Sequence, residues 1–297
     1  MLESMLLSAP NFSEGRRGET IDAIERGLAS GARVLDSHID VDHNRTVFTL
    51  AGSRGEPEKA LLAGAQAALD GIDMRVHEGL HPAIGVLDVC PIVWLSEGDR
   101  EAAEAEARSV AEHLASELGI PTFLYGALAS DPDRAERAFY RQGTIEDLAE
   151  RMASGALPPD FGPARPHPTA GGTLVTARPP LAAFNVMVDS GELQTVKAIA
   201  GKLRESQGGP RGVRAMGLIL GDERGQVSMN VHDPISIPLG AVVEAVRTAG
   251  QEFGVAPTST ELVGLIPRAA LTGYPDDVPI EGFDPEQHVI ENRTTAD

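Results

Sequence analysis

The chain has 297 residues, with 25 Lys and Arg against 44 Asp and Glu, a formal charge of −19. So acidic a chain argues against nonspecific nucleic-acid binding, which depends on basic side chains neutralising phosphates, and against docking on anionic lipid. Its one cysteine, Cys90, allows no internal disulfide and fits a reducing compartment. No apolar run reaches membrane-spanning length. These features together predict a soluble, cytoplasmic protein with no nucleic-acid or membrane partner.

In chain order, Met5 to Ala9 reads as a short edge strand. A loop rich in turn formers follows, Pro10-Asn11-Phe12-Ser13-Glu14-Gly15, with Ser13 as candidate cap for the next helix. Ile21, Ile24 and Leu28 recur at helical spacing, and Gly31 ends that helix. Ala32 to Ile39 and Arg45 to Leu50 read as strands joined by the turn Asp42-His43-Asn44. Glu56 to Ile72 is an alanine-rich helix. Ile84 to Leu95 is an apolar strand broken or bent at Pro91. Glu101 to Leu118 is a helix, Ile120 to Tyr125 a strand, and Asp131 to Arg151 helix in two pieces interrupted at Gly143. Residues 156 to 180, with prolines at 158, 159, 163, 166, 168, 179 and 180, read as neither helix nor central strand, either linker or binding loop.

The order of elements then repeats. Leu181 to Val188, Val213 to Leu220, Gln226 to Val231 and Glu261 to Pro267 are strand-like. Leu193 to Arg204 and Leu239 to Phe253 are helical. Two successive β-α-β-β-α-β orders predict an α+β fold of two ferredoxin-like subdomains, residues 1–180 and 181–297, with a ligand cleft between them. After Gly273 the chain reads as irregular.

The stretch His77-Glu78-Gly79-Leu80-His81-Pro82 concentrates polar chemistry just before the apolar run into Cys90 and Pro91. Two histidines four apart suggest a helical metal site, but Gly79 weakens a helix and Pro82 pushes His81 toward extended backbone. Zinc also needs a third protein ligand. No metal is expected. Two readings remain open on the residues alone. Both histidines are hydrogen-bonded loop residues, or one is a general acid/base, since imidazole titrates near neutrality.

Several strings occur in order along the chain: Pro10 to Gly15, Asp42 to Phe48, His81-Pro82, Gly85 to Pro91, Tyr125-Gly126, Pro159 to Pro163, Ala183 to Val186 and Leu262 to Pro267. Through them the chain resembles the glutamate formiminotransferase family. The resemblance implies a stand-alone, folate-dependent one-carbon transferase, without a cyclodeaminase domain. It would move the formimino group of N-formimino-L-glutamate to N5 of tetrahydrofolate and release L-glutamate, as in histidine breakdown. Tetrahydrofolate would be the acceptor substrate and the protein a homodimer. An alternative is a related transferase with another N-formyl or N-formimino donor, or a noncatalytic folate-binding relative.

The resemblance also implies site residues. The catalytic histidine falls on His81. The folate-binding stretch falls on Gly162-Pro163-Ala164-Arg165-Pro166-His167-Pro168-Thr169-Ala170-Gly171. Animal members carry Ser-Trp-Gly near its end, where this chain has Thr169-Ala170-Gly171. They also carry an acidic residue at the position of His38; either Asp36, Asp40 or Asp42 substitutes for it from nearby or the substrate differs. Asn11, Asp36, His38, Arg45 and His77 are the candidate substrate contacts, Arg45 for a carboxylate. Arg165, Arg178, Lys202, Arg204, Arg211 and Arg214 are candidates for an anionic folate tail.

Overall fold

The computed structural model describes residues 5–80 and 82–294. It is a mixed α+β protein with two sheets. The chain divides into two compact units, Met1–Pro179 and Pro180–Asp297.

Unit 1 opens with β1 (Met5–Ser8) and β2 (Asn11–Phe12), followed by α1 (Gly18–Ala29), β3 (Arg33–Asp40), β4 (Arg45–Ser53), α2 (Glu56–Gly71) and β5 (Leu87–Trp94). Then come α3 (Arg100–Leu118), β6 (Thr122–Leu124), α4 (Ile145–Ala153) and β7 (Thr173–Arg178). β1 and β2 both lie between β4 and β5, so they act as one strand interrupted at Ala9-Pro10. β3 flanks β4, while β7 and then β6 extend the sheet in parallel beyond β5.

The expected edge strand at the N-terminus is therefore an interior one. Its buried residues Leu6 and Leu7 need cover that an edge would not give. Pro91 does not break β5 either. Ser8 pairs with Ile92, so Pro91 faces the interruption at Ala9-Pro10, where no ladder donor is required. Ser8 Oγ donates to the Pro91 carbonyl at 2.7 Å.

β5 is buried on both faces, which explains its unbroken apolar run. Cys90 and Ile92 pack in the core formed with α1, α2 and α3. Val89 packs in a second cluster with Phe123, Tyr140, Leu148 and Met152, contributed by β6, α4 and the segment before α4. Burial pushes the Cys90 thiol up, consistent with a packing role. The segment before α4 is not helical as expected. It makes single 3-10 turns at Pro132–Arg134 and Arg137–Phe139, and Tyr140 anchors the second by donating its hydroxyl to the Leu124 carbonyl at 3.0 Å. Residues 173–178, expected outside any central strand, form β7 between β5 and β6. The prolines flank this Thr-Leu-Val-Thr-Ala-Arg run without entering it, so its donors stay available.

Unit 2 comprises β8 (Ala182–Val188), α5 (Leu193–Leu203), β9 (Val213–Ile219), β10 (Gly225–Val231), α6 (Leu239–Gln251) and β11 (Pro257–Val263), followed by short helices α7 (Pro285–His288) and α8 (Ile290–Thr294). Its antiparallel sheet has the order β11-β8-β10-β9. Phe184, Val186, Val227 and Met229 pack against Val196, Ile199, Val242 and Val246 of the two longer helices. The tail expected to be irregular beyond Gly273 thus ends in two short helical turns.

Candidate active site

His81 lies outside the described residues, but the segments on either side of it are fixed in detail. Asn44 does much of the fixing. It sits in the left-handed region at φ 48°, which asparagine tolerates better than most residues. Its Oδ1 accepts from Gly15 N–H at 2.9 Å. Its Nδ2 donates to the Glu78 carbonyl at 2.9 Å and lies 3.4 Å from His77 Nδ1. One side chain thereby ties together the Ser13–Gly15 loop, the turn before β4 and the histidine loop. Leu80 N–H adds a bond to the Asp42 carbonyl at 3.2 Å.

With Asn44 donating, His77 Nδ1 accepts, so the ring proton belongs on Nε2. His77 is half-buried, and burial chiefly lowers its pKa, favouring the neutral ring. A small cavity opens beside it, lined by Phe12, Ser13, His43, Asn44, Arg45, His77, Ala83 and Asp88.

Ser13 does not cap α1. Its Oγ donates to the Gly85 carbonyl at 2.7 Å, and its N–H bonds to Val86 O at 3.0 Å. Glu14, buried, instead receives the free N–H groups ahead of the helix, from Arg16 at 2.8 Å and Arg17 at 2.9 Å. Burial would raise its carboxyl, but these bonds outweigh that effect and hold it below its ordinary value.

The expected folate loop is joined to the same region. His167 and Gly171 exchange backbone hydrogen bonds at 2.8 and 3.1 Å, closing the loop into a tight hairpin. His167 Nδ1 accepts from Ala170 N–H at 3.1 Å. The far side of the hairpin bonds to the strand entry: Val86 N–H to Ala170 O at 3.0 Å and Gly172 N–H to Ile84 O at 2.9 Å. Met74 N–H reaches Thr169 O at 2.8 Å, just ahead of the histidine loop. The approach at Gly171 demands glycine. Its φ is 69°, and a Cβ there would meet Ile84 O at 2.0 Å. Residues 162–165 are exposed, including Arg165.

The other candidates are placed as follows. Asn11 is in β2, donating to Ala9 O at 3.0 Å, and does not line the cavity. Asp36 and His38 alternate with Asp40 on the half-buried face of β3, across from β4. Asp40 is committed locally: its carboxylate accepts from His43 N–H at 2.9 Å, with His43 Nδ1 at 2.6 Å. Burial would raise this carboxyl, but the His43 contacts prevail and hold it at about 2. A depressed pKa stabilises the fold above the unfolded value of ~3.9, and that contribution is lost as pH falls toward the folded value. Wild type is therefore expected to lose stability relative to Asp40→Asn as pH drops from about 4 to about 2. Urea midpoints for both proteins over this range check it; parallel curves would exclude a role for Asp40.

Arg45 lines the cavity and faces Asp40 across the β3–β4 ladder, with its Nε buried and without a hydrogen-bond partner among the described residues. Asp88 accepts from Ile84 N–H at 2.8 Å and pairs with Arg141, a buried ion pair. Neither Asp88 nor Arg141 stood out as a site residue in the sequence. Asp88 sits inside an apolar strand, where a buried carboxylate was the available signal. In unit 2, Lys202 pairs with Glu252, Arg214 with Glu205 at 2.6 Å, and Arg204 donates to Ala215 O at 2.8 Å. These partners already occupy three of the basic residues expected to hold a folate tail. A larger depression of about 680 Å³ on unit 2 is lined by Lys197, Lys202, Arg204, Gln207 and Met216. Its lining has no histidine or carboxylate. No group of three or more metal-ligating side chains occurs among the described residues.

A polar cavity lined by His43 and His77, on an α+β scaffold whose strand entry is bonded to a glycine-hinged hairpin, is the kind of site an acid–base transferase uses. The description "Formiminotransferase domain, N-terminal subdomain" matches residues 5–178, and "Formiminotransferase domain" matches residues 183–275. A glutamate formimidoyltransferase of Streptococcus pyogenes is 36% identical over 95% of this chain and 96% of its own length. One from Thermoplasma acidophilum is 34% identical over 98% of this chain and 97% of its own length. The formimidoyltransferase-cyclodeaminase of Rattus norvegicus is 35% identical over 91% of this chain, which spans 51% of that longer protein. The chain belongs to the formiminotransferase family.

Proposed function

We propose that this protein is a glutamate formiminotransferase, transferring the formimino group of N-formimino-L-glutamate to N5 of tetrahydrofolate with release of L-glutamate. The observation that carries this reading is the near end-to-end match to two stand-alone glutamate formimidoyltransferases. We read each unit as ferredoxin-like: the β-α-β-β-α-β order with the fourth strand beside the first is present in β11-β8-β10-β9 and in the β3-β4-β1-β5 portion of unit 1. The units then correspond to the N- and C-terminal formiminotransferase subdomains. A cytoplasmic homodimer is the accompanying expectation.

In this reading N5 of the folate attacks the amidine carbon, giving a tetrahedral species. His81 takes the N5 proton and delivers it to the glutamate nitrogen as the C–N bond to glutamate breaks. One imidazole near its working pH serves both steps. Residues 162–171 hold the folate, in support of which their hairpin is bonded to Ile84 and Val86, a few residues beyond His81. Asn11, Asp36, His38, Arg45 and His77 are assigned to the donor, and of these Arg45 and His77 line the cavity.

The test is an assay of purified protein with tetrahydrofolate and formiminoglutamate, followed by the absorbance of the formimino-folate product. Turnover is expected. Turnover with only another N-formyl or N-formimino donor would reassign the substrate. Folate binding without turnover from any donor would make the protein a noncatalytic relative.

A further inference from the structure

Unit 1 gathers four half-buried arginines, Arg45, Arg137, Arg141 and Arg178, in a protein of net charge −19. Their carboxylate supply is thin. Asp88 pairs with Arg141, and Asp40 is taken up by His43. Glu136, beside Arg137, is exposed. Among the described residues neither Arg45 nor Arg137 forms an ion pair, and Arg178 donates to the Pro179 carbonyl at 3.1 Å.

Arg141 N–H bonds to the Arg137 carbonyl at 3.3 Å, and Arg141 pairs with Asp88, which lines the cavity together with Arg45. Burial acts first on both Arg45 and Arg137. Among charges, Arg45 then feels Asp40, Arg141, Arg137 and Asp88, and Arg137 feels the Tyr125 hydroxyl, Arg141, Asp88 and Glu136. Arg178 feels Tyr125 and Arg137, and burial pulls it down to about 10. Burial likewise lowers Arg45 and Arg137. All remain cations at neutral pH, because a guanidinium does not deprotonate in a protein. The cost of burying like charges therefore persists until an anion offsets it.

Arg137 is also held in place. It starts the 3-10 turn Arg137–Phe139, and its carbonyl accepts from the buried Tyr140 N–H at 3.1 Å. Tyr140 in turn is bonded to β6. A guanidinium fork carried on a fixed backbone suits a carboxylate in two-point contact.

We propose that Arg137, acting with Arg45, binds the carboxylates of the glutamyl part of a substrate and so sets preference for a dicarboxylate. This rests on the transferase reading above, in which both substrates carry a glutamyl group: the formimino donor itself and the tail of the folate. Asp88 is the counterweight that keeps Arg141 from competing for that anion, and Arg178 adds background positive charge.

The test is Arg137→Gln, with Arg137→Lys beside it, in steady-state kinetics on the full chain. Loss of a charged hydrogen-bonding pair is expected to raise one KM by about 10- to 100-fold while kcat falls less than ~3-fold. Arg137→Lys, keeping the charge without the fork, should lie between Arg137→Gln and wild type. A rise in the KM for formiminoglutamate assigns the fork to the donor. A rise for tetrahydrofolate, absent with tetrahydropteroate, assigns it to the folate tail. Both KM values within about twofold of wild type in a folded variant would overturn the proposal.

Calorimetric titration separates this from failure of the transferase reading. Wild type should bind glutarate but not neutral glutaramide, whether or not formiminoglutamate turns over, and Arg137→Lys should weaken the glutarate binding. If Arg137→Gln fails to fold, Arg137→Lys and the two titrants decide. Equal glutarate affinity in wild type and Arg137→Lys, or no glutarate binding by wild type, would overturn the proposal.

Discussion

Replacement of His81 by alanine is expected to lower formimino transfer by roughly 10²- to 10⁴-fold, the usual contribution of a positioned acid/base. Folate affinity should stay within a few-fold, because a proton shuttle acts on the reacting atoms and not on the pterin. The motivation is the His81-Pro82 motif together with the surrounding geometry. His77 has its Nδ1 engaged toward Asn44 and its pKa lowered chiefly by burial, which makes it the less suited of the two to carry protons. Single-turnover rates with saturating folate, alongside folate binding, check this. A wild-type rate from the folded variant would remove His81 from the mechanism and return attention to His77. An equal loss of folate affinity would instead make His81 a binding residue.

The largest expected effect on stability is that of Asp88→Ala. Asp88 is buried in β5 and pairs with Arg141, whose side chain is 10% exposed. It also accepts from Ile84 N–H. Removing it strands a buried guanidinium next to Arg45 and Arg137, and breaking a buried pair from one side costs about 3–5 kcal/mol. Urea unfolding should show that loss, and sulfate should restore part of it by supplying the missing anion. Asp88→Asn keeps an acceptor for Ile84 and should lose less. Should Asp88→Ala unfold at the wild-type urea concentration, the pair contributes nothing net and the surplus charge is relieved elsewhere.

Much of this protein was legible without coordinates. The order of helices and strands follows from hydrophobic period: Ile21, Ile24 and Leu28 mark a helix stripe, and the continuous apolar run around Cys90 marks a strand buried on both faces. The mixed α+β class follows from that order, and the family follows from motifs that are contiguous in sequence, such as Asp42 to Phe48 and Gly85 to Pro91. Local punctuation was harder to place. Pro91 reads as a break or bend because proline lacks a ladder donor, yet β5 continues through it because the partner strand is interrupted opposite it, a fact of pairing that no single strand records. The same limit hid β7, whose apolar run lies between prolines and becomes a central strand only because β5 and β6 leave a slot for it.

The charge balance of the site was decided by tertiary structure alone. Asp88 and Arg141 are 53 positions apart, and Arg45 comes from yet another strand. Arg137 and Arg141 read as polar residues of an expected helix. No periodicity in sequence says which of 25 basic and 44 acidic residues will meet. Coulomb energy depends on distance and on the loss of water, and both are set only when β4, β5 and the segment before α4 have packed together.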